Sequence, residues 1–222
     1  MTQAGGVSTE RLPLDVRVID ASQHRTMPWK NGLGTTTEIA IDPPGVNLAG
    51  RFRWRLSIAL VQSSGPFSAF PGYERTIMVI EGRGMELAVG SNSPRRLDRP
   101  FEPFLFSGDA PAECRLIDGP IRDFNLMVNR SVLRSRTEVW HLDRMPRLIG
   151  LSSADWIIHC LSGAIDLQVG AAGWSCQLSA DDTAVFRRGQ SSGDELQAEA
   201  IARDHAIVAV IALTTQAEPG LD

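Results

Sequence analysis

The chain repeats itself, and that repeat limits its fold more than any other feature. Arg75-Thr-Ile-Met-Val-Ile-Glu-Gly82 is echoed by Asp155-Trp-Ile-Ile-His-Cys-Leu-Ser-Gly163. Past the turn, Met85, Leu87, Val89 and Gly90 match Ile165, Leu167, Val169 and Gly170, Phe106 matches Phe186, and Arg122-Asp123 matches Arg203-Asp204. Self-similarity at a fixed offset, here about 80 residues, marks duplicated units. Each unit reads as an apolar strand, a glycine turn, a second apolar strand and a Gly/Asp corner. Strand pairs of this kind close into jelly-roll barrels, which remove exposed sheet edges.

The rest of the chain supports an all-β reading. Short Val-, Ile-, Phe- and Trp-rich runs alternate with Gly, Pro, Ser and Asp clusters. Strands are expected at 16–19, 36–41, 53–61, 76–81, 84–89, 104–106, 114–117, 124–128, 155–161, 164–169, 173–178, 184–186 and 206–213. A short helix or turn is expected over Val132–Thr137, and Arg187–Gln197 reads as a polar loop. The division falls near Asn129–Arg134, giving one barrel over 12–131 and a plainer one over 132–216, with Met1–Arg11 and Gln216–Asp222 loosely held. The first unit carries Trp29, Lys30, Asn31, Trp54, Arg55, Arg75, Asp109, Asp123 and Asn125. A site is therefore expected there.

Composition removes several functions. The net charge of −4 with acids and bases intermixed gives no electrostatic footprint for nucleic acid. The clusters Arg51, Arg53, Arg55 and Arg95, Arg96, Arg99 read as solvated or ion-paired faces. No apolar run reaches the roughly 18 residues that span a bilayer. Three cysteines without a CxxC pair argue against a disulfide framework and against zinc. With no secretory signal evident in Met1–Glu10, a reducing cytoplasm is the expected location. Of the 22 basic side chains, Lys30 alone is a lysine; chance leaves a stray lysine often enough, and the functional reading is that this position wants a compact amine that arginine does not imitate.

Six motifs in order resemble the HutD/Ves family: Met27–Glu38, Phe52–Ala59, Gly65–Gly72, Arg75–Gly82, Phe106–Pro111 and Asp118–Met127. The resemblance covers most of 27–130; the second half matches only in general cupin style. It implies a bicupin, two RmlC-like jelly-roll barrels in one chain. It also implies a modulator of histidine utilisation that senses an intermediate such as N-formylglutamate or urocanate, or, in the Ves branch, a stress-response role.

Against the cupin pattern, the metal ligands are missing. Cupin enzymes hold a metal with histidines and a glutamate near the first glycine turn, but Phe67–Val79 has no histidine and Arg75 stands at the glutamate position. A fixed guanidinium repels a divalent cation. His24, His141, His159 and His205 are scattered. No metal and no cofactor are expected. Arg75 instead favours an anion, which it can hold through two parallel charge-assisted hydrogen bonds. On the strand carrying Trp54, Leu56 and Ile58, Arg55 and Ser57 point to the opposite face. The expected anion site is thus Lys30, Asn31, Arg55, Ser57, Arg75, Asp123 and Asn125. Its bland counterpart has Arg55 and Arg75 paired with Glu81, Asp109 or Asp123 as buried ion pairs, Lys30 and Asn31 shaping a turn, and Trp29 and Trp54 in the core.

Two functions from different classes follow. One is a ligand-binding regulatory protein for a small anionic metabolite. The other is a metal-independent isomerase or hydrolase using Lys30 or Asp123 as acid–base groups. No paired catalytic constellation is visible, which favours the binder. For assembly, two arrangements stay open: the barrels pair only within one chain, or chains form homodimers through an open sheet.

Overall fold

Two strands of the first unit are buried on both faces, which no free-standing barrel requires. In the computed structural model, which describes residues 14–48, 50–151, 155–170, 173–188 and 196–216, β4 (Trp54–Val61) and β11 (Ile121–Asn129) keep nearly every side chain from solvent. A sheet loses its in/out alternation when both sides are covered. One side of β4 and β11 faces the first barrel's interior, and the other faces the second barrel.

The first barrel is a six-stranded sheet in the order β2 (Arg25–Pro28), β3 (Gly34–Asp42), β4, β11, β6 (Tyr73–Glu81), β9 (Phe104–Ser107). Opposite it lies a four-stranded sheet of β5 (Gly65–Phe67), β10 (Ala112–Leu116), β7 (Met85–Val89) and β8 (Arg95–Leu97). The second barrel has a five-stranded sheet in the order β1 (Leu14–Ile19), β17 (Thr183–Arg188), β14 (Asp155–Ser162), β19 (Ala206–Thr215), β12 (Leu133–Leu142). It faces β13 (Arg147–Gly150), β18 (Gln197–Ala202), β15 (Ala164–Val169) and β16 (Trp174–Ser179). All recorded strand pairings are antiparallel. Among the described residues no helix is long and apolar enough to cross a membrane.

Three large apolar clusters hold these layers, beside a small one of Ile41, Phe52 and Met127. Ile77, Val79, Met85, Leu87, Cys114 and Ile121 fill one end of the first barrel. Cys160, Ile165, Leu167, Phe186, Val208 and Val210 fill the second. Between the barrels, Trp54, Leu56, Ile58, Phe124 and Leu126 meet Ile157, Val185, Ile211 and Leu213. Leu56, Phe124, Leu126, Ile157 and Ile211 are fully buried there. Each such side chain contributes about 1.5–3 kcal/mol by leaving water, so the seam is a third core and not a loose domain contact.

The duplication is visible in the backbone. Two residues before Gly82, the β6–β11 ladder skips Ile80, passing from Arg122↔Glu81 to Asp123↔Val79. Two residues before Gly163, the β14–β19 ladder skips Leu161, passing from Ile207↔Ser162 to Val208↔Cys160. Both glycines have positive φ, and a methyl on either would strike a carbonyl oxygen, at 2.6 Å from Pro120 and 2.2 Å from His205. The same bulge and the same turn therefore recur in each half. This register corrects one expected equivalence. The counterpart of Asp123 is Val208, not Asp204, which sits exposed and pairs with Arg144 at 3.5 Å.

Three further expectations change. Val132–Thr137 is neither helix nor turn from Leu133 onward but the start of β12, an edge strand whose Arg134 and Arg136 face outward. Charged residues on an edge blunt further pairing and hide the strand's apolar pattern. The strand β1, on the first-barrel side of the expected division, pairs with β17 in the second barrel's sheet. The polar loop is shorter than expected, since β17 runs to Arg188 and β18 begins at Gln197; its middle, 189–195, lies outside the described residues, as do Met1–Arg11 and 217–222.

Candidate functional site

The first barrel's interior is apolar at one end and polar at the other, and this gradient is written along single strands. On β4 the inward residues run Arg55, Ser57, Ala59, Val61; on β6 they run Arg75, Ile77, Val79; on β11 they run Ile121, Asp123, Asn125, Met127. Val61, Ile77, Val79 and Ile121 close the apolar end. The polar end surrounds a cavity of about 590 Å³. All seven expected residues line it: Arg55, Ser57, Arg75, Asp123 and Asn125 from the strands, Lys30 and Asn31 from the exposed β2–β3 loop at its rim. Phe67, Ser68 and Phe70 form a wall around Arg75, and Met27, Trp29 and Thr36 lie on the β2–β3 side.

Arg75 is a closely confined charge. Its side chain sits at 5% exposure, with the guanidinium carbon 4.9 Å from the Phe106 ring centroid, 5.6 Å from Phe70 and 5.8 Å from Phe67. Rings at these distances attract a cation through their faces but do not replace water. Burial pulls the guanidinium down to about 10, opposed by the charge of Asp123 and assisted by that of Arg55. Arg75 donates from Nη1 to the Ser68 carbonyl at 3.3 Å and from Nη2 to Asn125 Oδ1 at 3.0 Å, while its buried Nε–H has no partner. Among the described residues no carboxylate lies within 4.0 Å of it.

Asn125 passes the contact on, its Nδ2 donating to Asp123 Oδ1. Asp123 is fully buried, and its Oδ2 has no partner. Loss of water drives its carboxyl up to about 7, against the pull of Arg75. Arg75 and Asp123 are therefore joined through an amide and not by a direct ion pair.

Arg55 is held differently. Its Nε donates to Glu38 Oε2 at 2.8 Å, and both side chains are largely buried. Glu38 faces the interior by the same alternation as Thr36: it lies opposite Ser57, and past a bulge the next pair is Ala40 with Leu56. Ile39 and Ala40 then both face the seam, as a two-against-one bulge allows. The ion-pair partners anticipated for the two arginines are engaged elsewhere. Glu81 accepts from Arg122, and Asp109 pairs with Arg130 and accepts the Gly72 N–H at 2.7 Å. Of those anticipated partners, Asp123 alone acts on Arg75, through its field.

At the rim, Asn31 Oδ1 accepts from the Leu33 N–H at 3.1 Å, so the turn-shaping role holds alongside its position on the cavity. Trp29 is only half-buried; its indole N–H donates to Thr36 Oγ1 at 2.7 Å and its ring meets Phe67 edge-on. Trp54 belongs to the seam core. Of the arginine clusters, Arg53 pairs with Asp42 at 3.0 Å, Arg95 with Glu102 at 3.1 Å and Arg96 with Asp98 at 2.6 Å. His159 lies in the seam, buried, with Nδ1 2.8 Å from Thr183 Oγ1, and burial brings its imidazole down to about 3. The cysteines are free, Cys114 and Cys160 buried and Cys176 half-buried.

Residue typing missed Glu38 and the phenyl wall. Glu38 closes the first motif and shares the inward face with Thr36, but the bulge reverses the parity just beyond it. Phe67 and Phe70 lie within the Gly65–Gly72 motif, where residue typing assigned them no role of their own.

Among the described residues, the second barrel has no equivalent polar end. By the shared register, the places of Asp123, Asn125 and Arg75 are taken by Val208, Val210 and Trp156. Val208 and Val210 are buried in its core, with Trp156 against it.

Comparison with known proteins gives this geometry a setting. The HutD family model matches residues 21–207. An uncharacterised 21.2 kDa protein from the hutC 3′ region of Pseudomonas putida is 46% identical over 123 residues, 55% of this chain and 63% of that protein, so the match spans less than two thirds of that relative's length. Protein Ves of Citrobacter koseri is 35% identical over 147 residues, 64% of this chain and 73% of that protein. The structure of HutD from Pseudomonas fluorescens SBW25 superposes with a TM-score of 0.74 at 33% identity, covering 91% of this chain and 100% of that one. A cupin 2 conserved barrel domain protein from Leptotrichia buccalis shares the fold at 9% identity with a TM-score of 0.53, covering 85% of this chain and 92% of that one. The two barrels are thus a bicupin.

Proposed function

This chain belongs to the HutD family of cupin-like proteins associated with histidine utilisation, and from that premise we propose that its first barrel binds a small carboxylate metabolite of histidine breakdown and acts as a ligand-responsive modulator in the cytoplasm. N-formylglutamate is the guest we propose. The observation carrying the reading is Arg75, a buried guanidinium beside a cavity with no carboxylate in direct contact among the described residues. A buried cation left without a counter-ion is costly, and a guest carboxylate supplies one. Arg55 brings a second guanidinium whose charge Glu38 already offsets, and Ser57, Asn31 and Lys30 offer polar groups along the way to the rim. A cavity of this size with few polar groups set among aromatic walls has the character of a small-molecule site.

Binding only to the folded state raises stability by mass action, about 2.7 kcal/mol at a hundredfold excess over Kd. N-formyl-L-glutamate is therefore expected to raise the melting temperature, and urocanate and glutamate serve as comparators. Arg75→Met, which replaces the buried charge with a side chain of similar length, should fold and lose the rise. An unchanged melting temperature with every one of these acids overturns the ligand assignment. The competing enzyme reading draws on Asp123, whose carboxyl near 7 suits proton transfer. Consumption of the same acids, lost in Asp123→Asn, would favour it over the binder.

A further inference from the structure

The orientation of one amide decides which oxygen of Asp123 is free. Arg75 is a donor only, so the Asn125 atom facing its Nη2 at 3.0 Å must be the carbonyl oxygen. The Asn125 NH2 group then points the other way and donates to Asp123 Oδ1. Asp123 Oδ1 is fixed as an acceptor, and Oδ2, buried with no partner, is the one position open to a proton. From this arrangement we propose that the cavity takes up its carboxylate guest together with one proton, held on Asp123 Oδ2. The inference rests on the anion-binding reading above and adds to it which residue sets the guest's charge.

The charges around Asp123 support this balance. On β6, Arg75 is the cation that Asp123 faces through Asn125. On β4, Arg55 is already matched by Glu38 of β3. On β10, the Cys114 thiol is pushed up to about 12, by burial and then by the Asp123 charge, so it stays neutral. Lys30 stands at the exposed rim, where solvent screens it. Among the described residues, Arg75 is therefore the buried cation beside Asp123 that no carboxylate already matches. A guest carboxylate and an ionised Asp123 would compete for it in a site sheltered from water, and like charges in such a site raise one another's affinity for protons. The step balances simply: the guest anion and one solvent proton enter, the Asp123 carboxylate becomes a carboxylic acid through one new O–H bond, and the guest stays ionised at Arg75. In the empty cavity Asp123 changes charge near pH 7. Uptake is thus expected to be near zero at pH 5.5 and close to one proton at pH 8.

Titration calorimetry with N-formyl-L-glutamate at pH 8, in phosphate and in Tris, reads the proton directly from the difference in heats. The wild-type protein should take up close to one proton, and its affinity should fall up to roughly tenfold per pH unit above neutrality. Asp123→Asn should bind without uptake and with an affinity that is level from pH 6 to 9. Equal heats in the two buffers for the wild type, or full uptake retained by Asp123→Asn, overturn the inference and leave anion binding standing. Absence of binding at any pH overturns both. Should Asp123→Asn fail to fold, infrared difference spectra of the wild type on guest addition at pH 8 decide. A new protonated-carboxyl band supports the proposal, and no such band refutes it.

Discussion

Removing Glu38 tests the electrostatic design of the cavity. In Glu38→Ala the Arg55 guanidinium, its side chain only 4% exposed, loses the carboxylate that accepts its Nε–H at 2.8 Å. Breaking a buried ion pair from one side costs about 3–5 kcal/mol, because the remaining charge has neither water nor partner. Arg55 borders a cavity of about 590 Å³ and Glu38 is itself 12% exposed, so water can reach the freed group. The expected loss therefore sits at the lower end, about 3 kcal/mol. Urea unfolding followed by tryptophan fluorescence reads this as a lower midpoint with an unchanged slope. Glu38→Gln, which keeps an acceptor oxygen, should lose less. Acetate should then recover part of the deficit by standing where the carboxylate was, about 1.4 kcal/mol at tenfold over its Kd, and should raise the midpoint of Glu38→Ala more than that of the wild type. A loss below about 1 kcal/mol in Glu38→Ala, or equal acetate effects in both proteins, would refute the claim that Arg55 is a buried charge held by one partner.

Three other outcomes are expected. Asp123 ionises near pH 7 in the fold against 3.8 as its ordinary value, so the native state holds the extra proton between these limits. Its contribution to stability should fall as pH rises from about 4 to about 7, by up to about 1.4 kcal/mol per unit, and level off above; urea midpoints at pH 5 and 7.5 should show a slope that Asp123→Asn lacks. Gly163→Ala places a methyl 2.2 Å from the His205 carbonyl at a φ of +79°, and the destabilisation should be at least about 2 kcal/mol in thermal or urea unfolding. Iodoacetamide at pH 8 should label Cys176, half-buried and raised only to about 11, ahead of Cys114, which should react only as the barrel opens.

Residue chemistry revealed the cavity where it alternated cleanly. Along β4 the contrast of Arg55 and Ser57 with Trp54, Leu56 and Ile58 gave the inward face directly, and the structure keeps that parity. It failed where the backbone departs from strict pairing. On β3 the alternation that sets Glu38 inward with Thr36 breaks just beyond it, where Ile39 and Ala40 both face the seam, and Glu38 was missed as a partner for Arg55. The bulge is shared, but the connection from Gly163 to the paired strand is longer than that from Gly82, which moves the second-half counterpart of Asp123 from Asp204 to Val208. The strand β12 was concealed by Arg134, Ser135 and Arg136, polar residues that an edge tolerates and a buried strand does not. Long-range pairing of β1 with β17 leaves no local mark at all, since strand partners far apart in sequence are chosen by the whole sheet.

That pairing has a consequence for how the molecule is made. Leu14 waits opposite Arg188 and Ile19 opposite Thr183, so a strand that leaves the ribosome early finds its seat only after most of the chain has been synthesised. Until then the apolar side chain of Ile19, almost fully covered in the finished fold, is without its shelter. Splitting the gene between the barrels would separate β1 from its seat, and the second fragment would emerge with an open sheet margin ready to capture any passing strand.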